Sequence, residues 1–238
     1  MGAYDFSDFV DLCDFLAHRR GVNDDDRLDF VREHTRLADV PLVPELRVYR
    51  ADAVTPVWFE LARLLDDDDV DVPFWCVPWA GGQALARYVL DHPELVRGKR
   101  VLDFACGGGL VAMAATRAGA HVHACDIDPF ARVVTRLNAE ANGFAADAIP
   151  MTVEDLVGSE LPGVDVLLAG DVWYEPEPSA RFRRWFRKLA RRIPVLTADS
   201  GRPYAPRRVE ERARYEVPTP FELEARSARI ARVLAFSA

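Results

Sequence analysis

The spacing of apolar and polar positions changes once along the chain. Before Pro73 the apolar residues come in short separate groups. Residues 5–16 and 27–36 show helical spacing on either side of the turn-like GVNDDD. PLVPELRVYRAD sets Leu46, Val48 and Tyr49 between polar residues, the pattern of an edge strand. TPVWFELARLL returns to helical spacing, with Trp58, Leu61, Leu64 and Leu65 on one side, and LLDDDDVDVP breaks it. The acid run in that break reads as a solvated loop, the alternative being a face for a basic partner.

After Pro73 helices and strands alternate. Helical spacing over 81–93, 110–119, 129–143 and 179–192 is interleaved with strand patterns at 100–104, 121–127, 148–153, 164–171, 193–199 and 229–237. This predicts an α/β fold: a mostly parallel, Rossmann-like sheet with helices on both faces. Ligands on such sheets bind at the carboxyl ends of the strands, where the strand order reverses. The change of rhythm divides the chain into an N-terminal helical and strand extension, 1–72, and a ligand-binding domain, 73–238.

Composition narrows the class. The chain has 238 residues, half of them hydrophobic, enough to bury one sizeable core. A formal charge of −8 argues against nucleic-acid binding, which needs a basic face. No apolar run is long enough to span a bilayer, and the N-terminus opens on acids instead of the basic region of a signal peptide. Cys13, Cys76, Cys106 and Cys125 show no metal-binding spacing, which predicts no metal and a reducing, cytoplasmic compartment. His121 and His123 alternate with apolar residues on a strand, and the basic face of the 179–192 helix reads as solvated charge.

Gly107-Gly108-Gly109-Leu110-Val111-Ala112 satisfies G-x-G-x-x-G/A, a turn in which backbone can approach a nucleotide. Asp103, at the end of the preceding strand, decides which nucleotide. Beside that carboxylate a pyrophosphate would meet like charge, whereas S-adenosylmethionine brings a sulfonium and an ammonium. Its one carboxylate suits the N–H groups that open the next helix. Asp126, ending the next strand, is placed to accept hydrogen bonds from ribose hydroxyls. Asp128 before Pro129 reads as a helix N-cap. Glu154 and Asp155 either receive the adenine amino group or belong to a solvated loop.

PFWCVPWAGGQALARYVLDHPELVRGKRVLDFACGGG, CDIDPFA, AGDVWYE and ADSGRP together resemble the class I, seven-β-strand protein methyltransferases. Among these the chain is most similar to the electron transfer flavoprotein beta-subunit lysine methyltransferases. The likeness runs from about Arg32 onward and is strongest from Pro73 to Tyr174. It implies six parallel strands and one antiparallel strand, with Asp103, Ala105, Cys106, Gly107 and Gly109 around the methionine portion of the cofactor. Asp126 and Ile127 would lie at the nucleoside, and Trp79 would wall the cofactor or the incoming lysine. Asp171 and Tyr174 would form the catalytic acid-x-x-tyrosine motif, Asp171 also lying against the cofactor. Ala105 stands where relatives usually carry glycine, Ser200 where they carry proline, and the closing strand lacks a common tryptophan.

A lysine nucleophile must lose its proton, against a reference pKa of about 10.4. Burial beside Trp79, Trp173 and the sulfonium would lower that value. Asp171 would capture and orient the ammonium and Tyr174 would orient the amine through its hydroxyl; the bland alternative is a cap and a core tyrosine. Arg202 either contacts substrate or anchors its loop. The expectation is a monomeric or weakly associating enzyme that methylates a protein lysine, with electron transfer flavoprotein beta subunit as the leading acceptor. Another protein, a small molecule, or a cofactor-binding adaptor without turnover are the alternatives.

Overall fold

The structure is a computed structural model that describes residues 21–219 and 227–237. The helix expected at 5–16 lies outside the described residues. Helix α1 spans Asp24–His34, starting at Asp24 rather than Arg27 because Asn23 caps it. The Asn23 side chain accepts the Asp25 and Asp26 N–H groups, and the Asp26 carboxylate accepts the Asn23 N–H in return. Arg36, expected to end this helix, instead opens strand β1, Arg36–Val40, which pairs antiparallel with β2, Val43–Arg50.

Helix α2, Val54–Leu65, buries Val54, Val57 and Leu61. Trp58 departs from the expected stripe: it is exposed, and its Nε1 donates to the Val70 carbonyl at 2.8 Å, tying the helix to the acidic loop. The helix stops at Asp66, which adopts a left-handed φ of 50°. A 3-10 turn at Phe74–Cys76 then leads to α3, Ala80–Asp91.

The remaining elements are β3 (Arg100–Phe104), α4 (Leu110–Arg117), β4 (His121–Asp126), α5 (Pro129–Ala141), β5 (Met151–Val153) and β6 (Val166–Gly170). They are followed by α6 (Pro176–Leu189), β7 (Val195–Asp199), β8 (Glu210–Pro218) and β9 (Ala228–Ala235). Seven strands form one sheet in the order β5-β4-β3-β6-β7-β9-β8. Strands β5, β4, β3, β6 and β7 run parallel, β9 runs against β7, and β8 against β9. Strand β8 therefore points with the first five, giving the six-plus-one arrangement. Its sequence, EERARYEVP, is charged because it forms the sheet edge and exposes most of its side chains.

The sheet is covered on both faces. Val101, Ala124 and Leu168 pack with α3 and α4, while Leu102, Phe104 and Leu167 pack with Trp185, Phe186 and Leu189 of α6. The boundary at Val72/Pro73 separates two sheets but not two cores. Leu46 and Val48 of β2 join the α3–α4 core, and Phe30, Val57 and Leu61 pack against Trp75 and Phe130. The Trp75 and Phe130 rings stack at 5.5 Å. The strand order reverses at β3, flanked by β4 and β6, so the crevice opens at the carboxyl ends of these three strands.

Candidate cofactor and substrate site

Beyond β3 the chain turns through three left-handed residues: Ala105 (φ 53°), Gly107 (φ 52°) and Gly109 (φ 73°). Ala105 holds this conformation at a cost of about 1 kcal/mol relative to glycine. At Gly109 a Cβ would lie 2.6 Å from Thr135 Cγ2, so α5 excludes any side chain there. Thr135 Oγ1 donates to the Gly107 carbonyl at 3.2 Å, and Asn138 Nδ2 donates to the Gly108 carbonyl at 2.8 Å. Asn138 Oδ1 accepts the Tyr49 N–H at 2.6 Å, linking the turn to the N-terminal extension. Sequence reading missed Thr135 and Asn138. Their signal was two polar residues on the apolar side of an amphipathic helix, both almost wholly buried. Cys106 fills the gap beside Thr135, its N–H donating to the Cys125 carbonyl.

Asp103 is 1% exposed and accepts the Ala112 N–H at 2.8 Å. It thereby caps the first turn of α4, which Gly109 at the N-cap position cannot do. Burial pushes its pKa up to about 8. Burial thus favours the neutral form of the acid that sequence reading treats as an anion beside the turn. A bound cation would favour its ionised form.

Asp126 Oδ2 accepts the Gly107 N–H at 2.8 Å and Oδ1 accepts the Asp128 N–H at 3.1 Å. One carboxylate therefore joins the glycine turn to the β4–α5 loop, and each oxygen keeps a lone pair for a hydroxyl. Burial raises its pKa. Asp128 caps α5 by accepting the Phe130 N–H at 2.8 Å. Between them Ile127 is 70% exposed, an apolar side chain at the crevice rim. Asp155 is committed elsewhere: its oxygens accept the Val157 N–H at 2.9 Å and Arg181 Nη2 at 2.7 Å, and both it and Glu154 are exposed.

At the end of β6, Asp171 adopts a φ of 52° and its Oδ2 accepts the Gly82 N–H at 2.7 Å. This supplies the cap that Trp79, at the N-cap of α3, does not. The WAGGQAL segment now has a physical reading. A Cβ on Gly81 would sit 2.6 Å from Asp171 Oδ2, and one on Gly170 would sit 2.9 Å from the Gly82 Cα. Gln83 donates to the Pro78 carbonyl at 2.6 Å and accepts the Leu42 N–H at 3.3 Å. The other oxygen of Asp171, Oδ1, is buried and has no hydrogen-bond partner among the described residues. Burial raises this acid to about 6, with Arg202 pulling the other way.

Aromatic rings cluster around Phe74. Trp79 Nε1 donates to the Phe74 carbonyl at 2.8 Å, and the Phe74 ring lies 5.9 Å from Trp79 and 4.8 Å from Tyr174. Tyr174 is 42% exposed, and burial of its hydroxyl end pushes its pKa up to about 12. Phe74 was not anticipated, since a lone phenylalanine before a tryptophan carries no distinguishing spacing. Arg202 anchors its loop: its N–H is held by Asp199 at 3.1 Å, and its guanidinium lies 5.9 Å over the Trp79 ring. Trp173 is a correction. It is completely buried, its Nε1 donates to Thr197 Oγ1 at 2.9 Å, and it packs on Phe186 and Phe236. Together with Val172 its ring packs into the core between the sheet and α6, and it lines no lysine channel.

These groups fit S-adenosylmethionine: an orphaned buried acid oxygen, acids ending β3 and β4, and a turn closed to side chains at Gly109. The comparisons agree. A family model described as ribosomal protein L11 methyltransferase matches residues 83–170. The electron transfer flavoprotein beta subunit lysine methyltransferase of Xenopus laevis is 38% identical over 176 residues, covering 73% of this chain and 70% of that protein. That of Danio rerio is 35% identical over 184 residues, covering 76% and 69%. A solved structure from Pyrococcus horikoshii, described as a candidate RNA methyltransferase, aligns with a TM-score of 0.50 at 19% identity, over 76% of this chain and 97% of that one; this likeness is one of fold. The chain belongs to the electron transfer flavoprotein beta subunit lysine methyltransferase family and is an S-adenosylmethionine-dependent protein-lysine methyltransferase.

Proposed function

We propose that this enzyme methylates a lysine of the electron transfer flavoprotein beta subunit, with Asp171 and Tyr174 as its catalytic pair. The observation that carries the site assignment is Asp171 Oδ1, a buried acceptor with no hydrogen-bond partner among the described residues. An ammonium group satisfies such an oxygen, and leaving it unmet costs about 1–3 kcal/mol.

On this reading Asp126 accepts the ribose hydroxyls, and Asp103, Ala105, Cys106, Gly107 and Gly109 surround the methionine portion. Ile127 and Glu154 border the base; Asp155, held by Arg181, positions that loop. Bound S-adenosylmethionine supplies an electrophilic methyl on a sulfonium. Trp79 and Tyr174 flank the lysine stem and exclude water. Asp171 receives the ammonium and orients it, and the apolar walls lower the amine's pKa so that the proton leaves to water. Tyr174, protonated at neutral pH, offers its hydroxyl oxygen to the amine N–H. Placement of the reacting groups accounts for most of the acceleration.

The relatives named above support the acceptor. The L11-named model ends at Gly170, before Asp171 and Tyr174, so it speaks to the nucleotide half alone. Cys76, Cys106 and Cys125 are free among the described residues, and a cytoplasmic enzyme is part of the reading. No helix among the described residues is long and apolar enough to cross a membrane. A monomer or weak homo-oligomer completes the reading.

The test is incubation of purified enzyme and labelled cofactor with the flavoprotein beta subunit, followed by mass spectrometry. A methylated lysine on that subunit supports the proposal. Label in a different protein of cell extract, or in a low-mass product, overturns it.

A further inference from the structure

The 199–210 segment, which joins β7 to β8, lines a cleft of about 390 Å3 that shares only Arg202 with the methyl-transfer site. Arg202, Arg207 and Arg232 line it, with Glu211 as the one acid. Glu211 is already bound by Arg214 at 3.0 Å, and Arg232 leans on the buried Asp199 at 3.2 Å. Arg207 is exposed and makes no ion pair or hydrogen bond among the described residues, and Arg208 beside it is exposed as well. In a chain of formal charge −8, this is a local reversal of sign.

Two features make the cleft a built surface. Pro203 and Pro206 lie in its wall and restrict the backbone that presents Arg207, so little ordering remains for binding to require. Arg202 is shared with the methyl-transfer site: its guanidinium lies over Trp79 and its charge acts on Asp171. Through Arg202 the cleft adjoins the Trp79 and Asp171 side of that site.

We infer that the cleft between Arg202, Arg207 and Arg232 docks an acidic segment of the protein acceptor, carboxylates close in sequence to the target lysine. This rests on the proposed protein acceptor and adds a recognition element for it. Guanidinium groups pair with carboxylates in two-point geometry, and rim charges act chiefly on encounter and salt dependence.

The probe is fluorescein-labelled hexaglutamate, read by polarisation at low salt, with labelled hexalysine as the control. The intact enzyme should bind hexaglutamate and not hexalysine. Arg207→Glu with Arg208→Glu should weaken hexaglutamate by about tenfold or more, while Arg207→Lys retains most of it. The charge-reversed enzyme should show an acceptor KM raised by a similar factor, with kcat and cofactor affinity unchanged. Equal hexaglutamate binding by the intact and charge-reversed proteins overturns the inference. An intact enzyme that binds hexaglutamate at this cleft yet leaves the flavoprotein subunit unmodified overturns the proposed acceptor alone.

Discussion

The Asp171 carboxylate accepts the Gly82 N–H at 2.7 Å, so the loop that ends β6 caps the helix that precedes β3. The acid proposed to hold the lysine is thus fixed by a backbone group from the other side of the crevice. Its orientation depends on the absence of a side chain at Gly81.

Gly81→Ala should separate this device from simple helix preference. The new methyl would lie 2.6 Å from Asp171 Oδ2, whereas one at Gly82 meets nothing within 4 Å. We expect Gly81→Ala to lose about 1–3 kcal/mol in urea unfolding and most of kcat. Gly82→Ala should keep activity and gain up to about 1 kcal/mol from helix propensity. Equal behaviour of the two variants would show that the carboxylate is not constrained from this side.

Acceptor capture should depend on pH through Asp171. Its folded pKa is raised to about 6, so the ionised form that attracts ammonium is present above that value and lost below it. Steady-state kinetics should show the acceptor KM rising as pH falls through about 6. Asp171→Asn, which keeps an oxygen for the Gly82 N–H, should show a high KM that no longer changes there, with cofactor affinity retained. A variant with the intact enzyme's KM profile would remove Asp171 from capture.

Asp103 makes a stability prediction of definite sign. Its pKa is raised to about 8 in the folded protein, against about 3.9 unfolded. The unfolded chain releases this proton first, so the contribution to stability is full below about pH 4 and is lost as pH rises through about 8. Asp103→Asn keeps the acceptor for the Ala112 N–H and removes the titration. The difference in Tm between the two proteins should therefore shift in favour of the variant as pH increases over that window. Because a cation beside Asp103 favours its ionised form, cofactor binding near neutral pH should release a proton. Calorimetry in buffers of different ionisation heat reads that release, which Asp103→Asn should abolish.

Trp173 should matter for stability and not for acceptor binding. Trp173→Phe removes the donor to Thr197 Oγ1 while keeping an aromatic ring against Phe186. A loss of about 1–2 kcal/mol in unfolding free energy is expected, with the acceptor KM unchanged. A KM raised severalfold at unchanged stability would return this residue to the lysine channel.

The parts of the site legible beforehand were those that repeat a local rule. Asp126 and Asp103 end buried strands, Asp128 precedes a helix-opening proline, and the glycines follow β3, so chain position alone places them near the crevice. Trp173 was misplaced because tyrosine and tryptophan side by side leave undecided which one faces the core; the turn after β6 packs the tryptophan inside with Val172. Strand β8 escaped notice because an edge strand can be charged on nearly every residue when its pairing comes from the backbone.

The linear order of residues determined, by itself, which segments become strands and helices, that most strands run parallel, and which carboxylates reach the carboxyl edge, because periodicity and turn chemistry act over a few positions. Only the tertiary structure decided what those acids touch. Asp103 reaches the start of α4, Asp126 the glycine turn, and Asp171 the start of α3, each across chain distances that no local pattern spans. Burial at those contacts sets the pKa of each acid, and burial is a property of the packed chain.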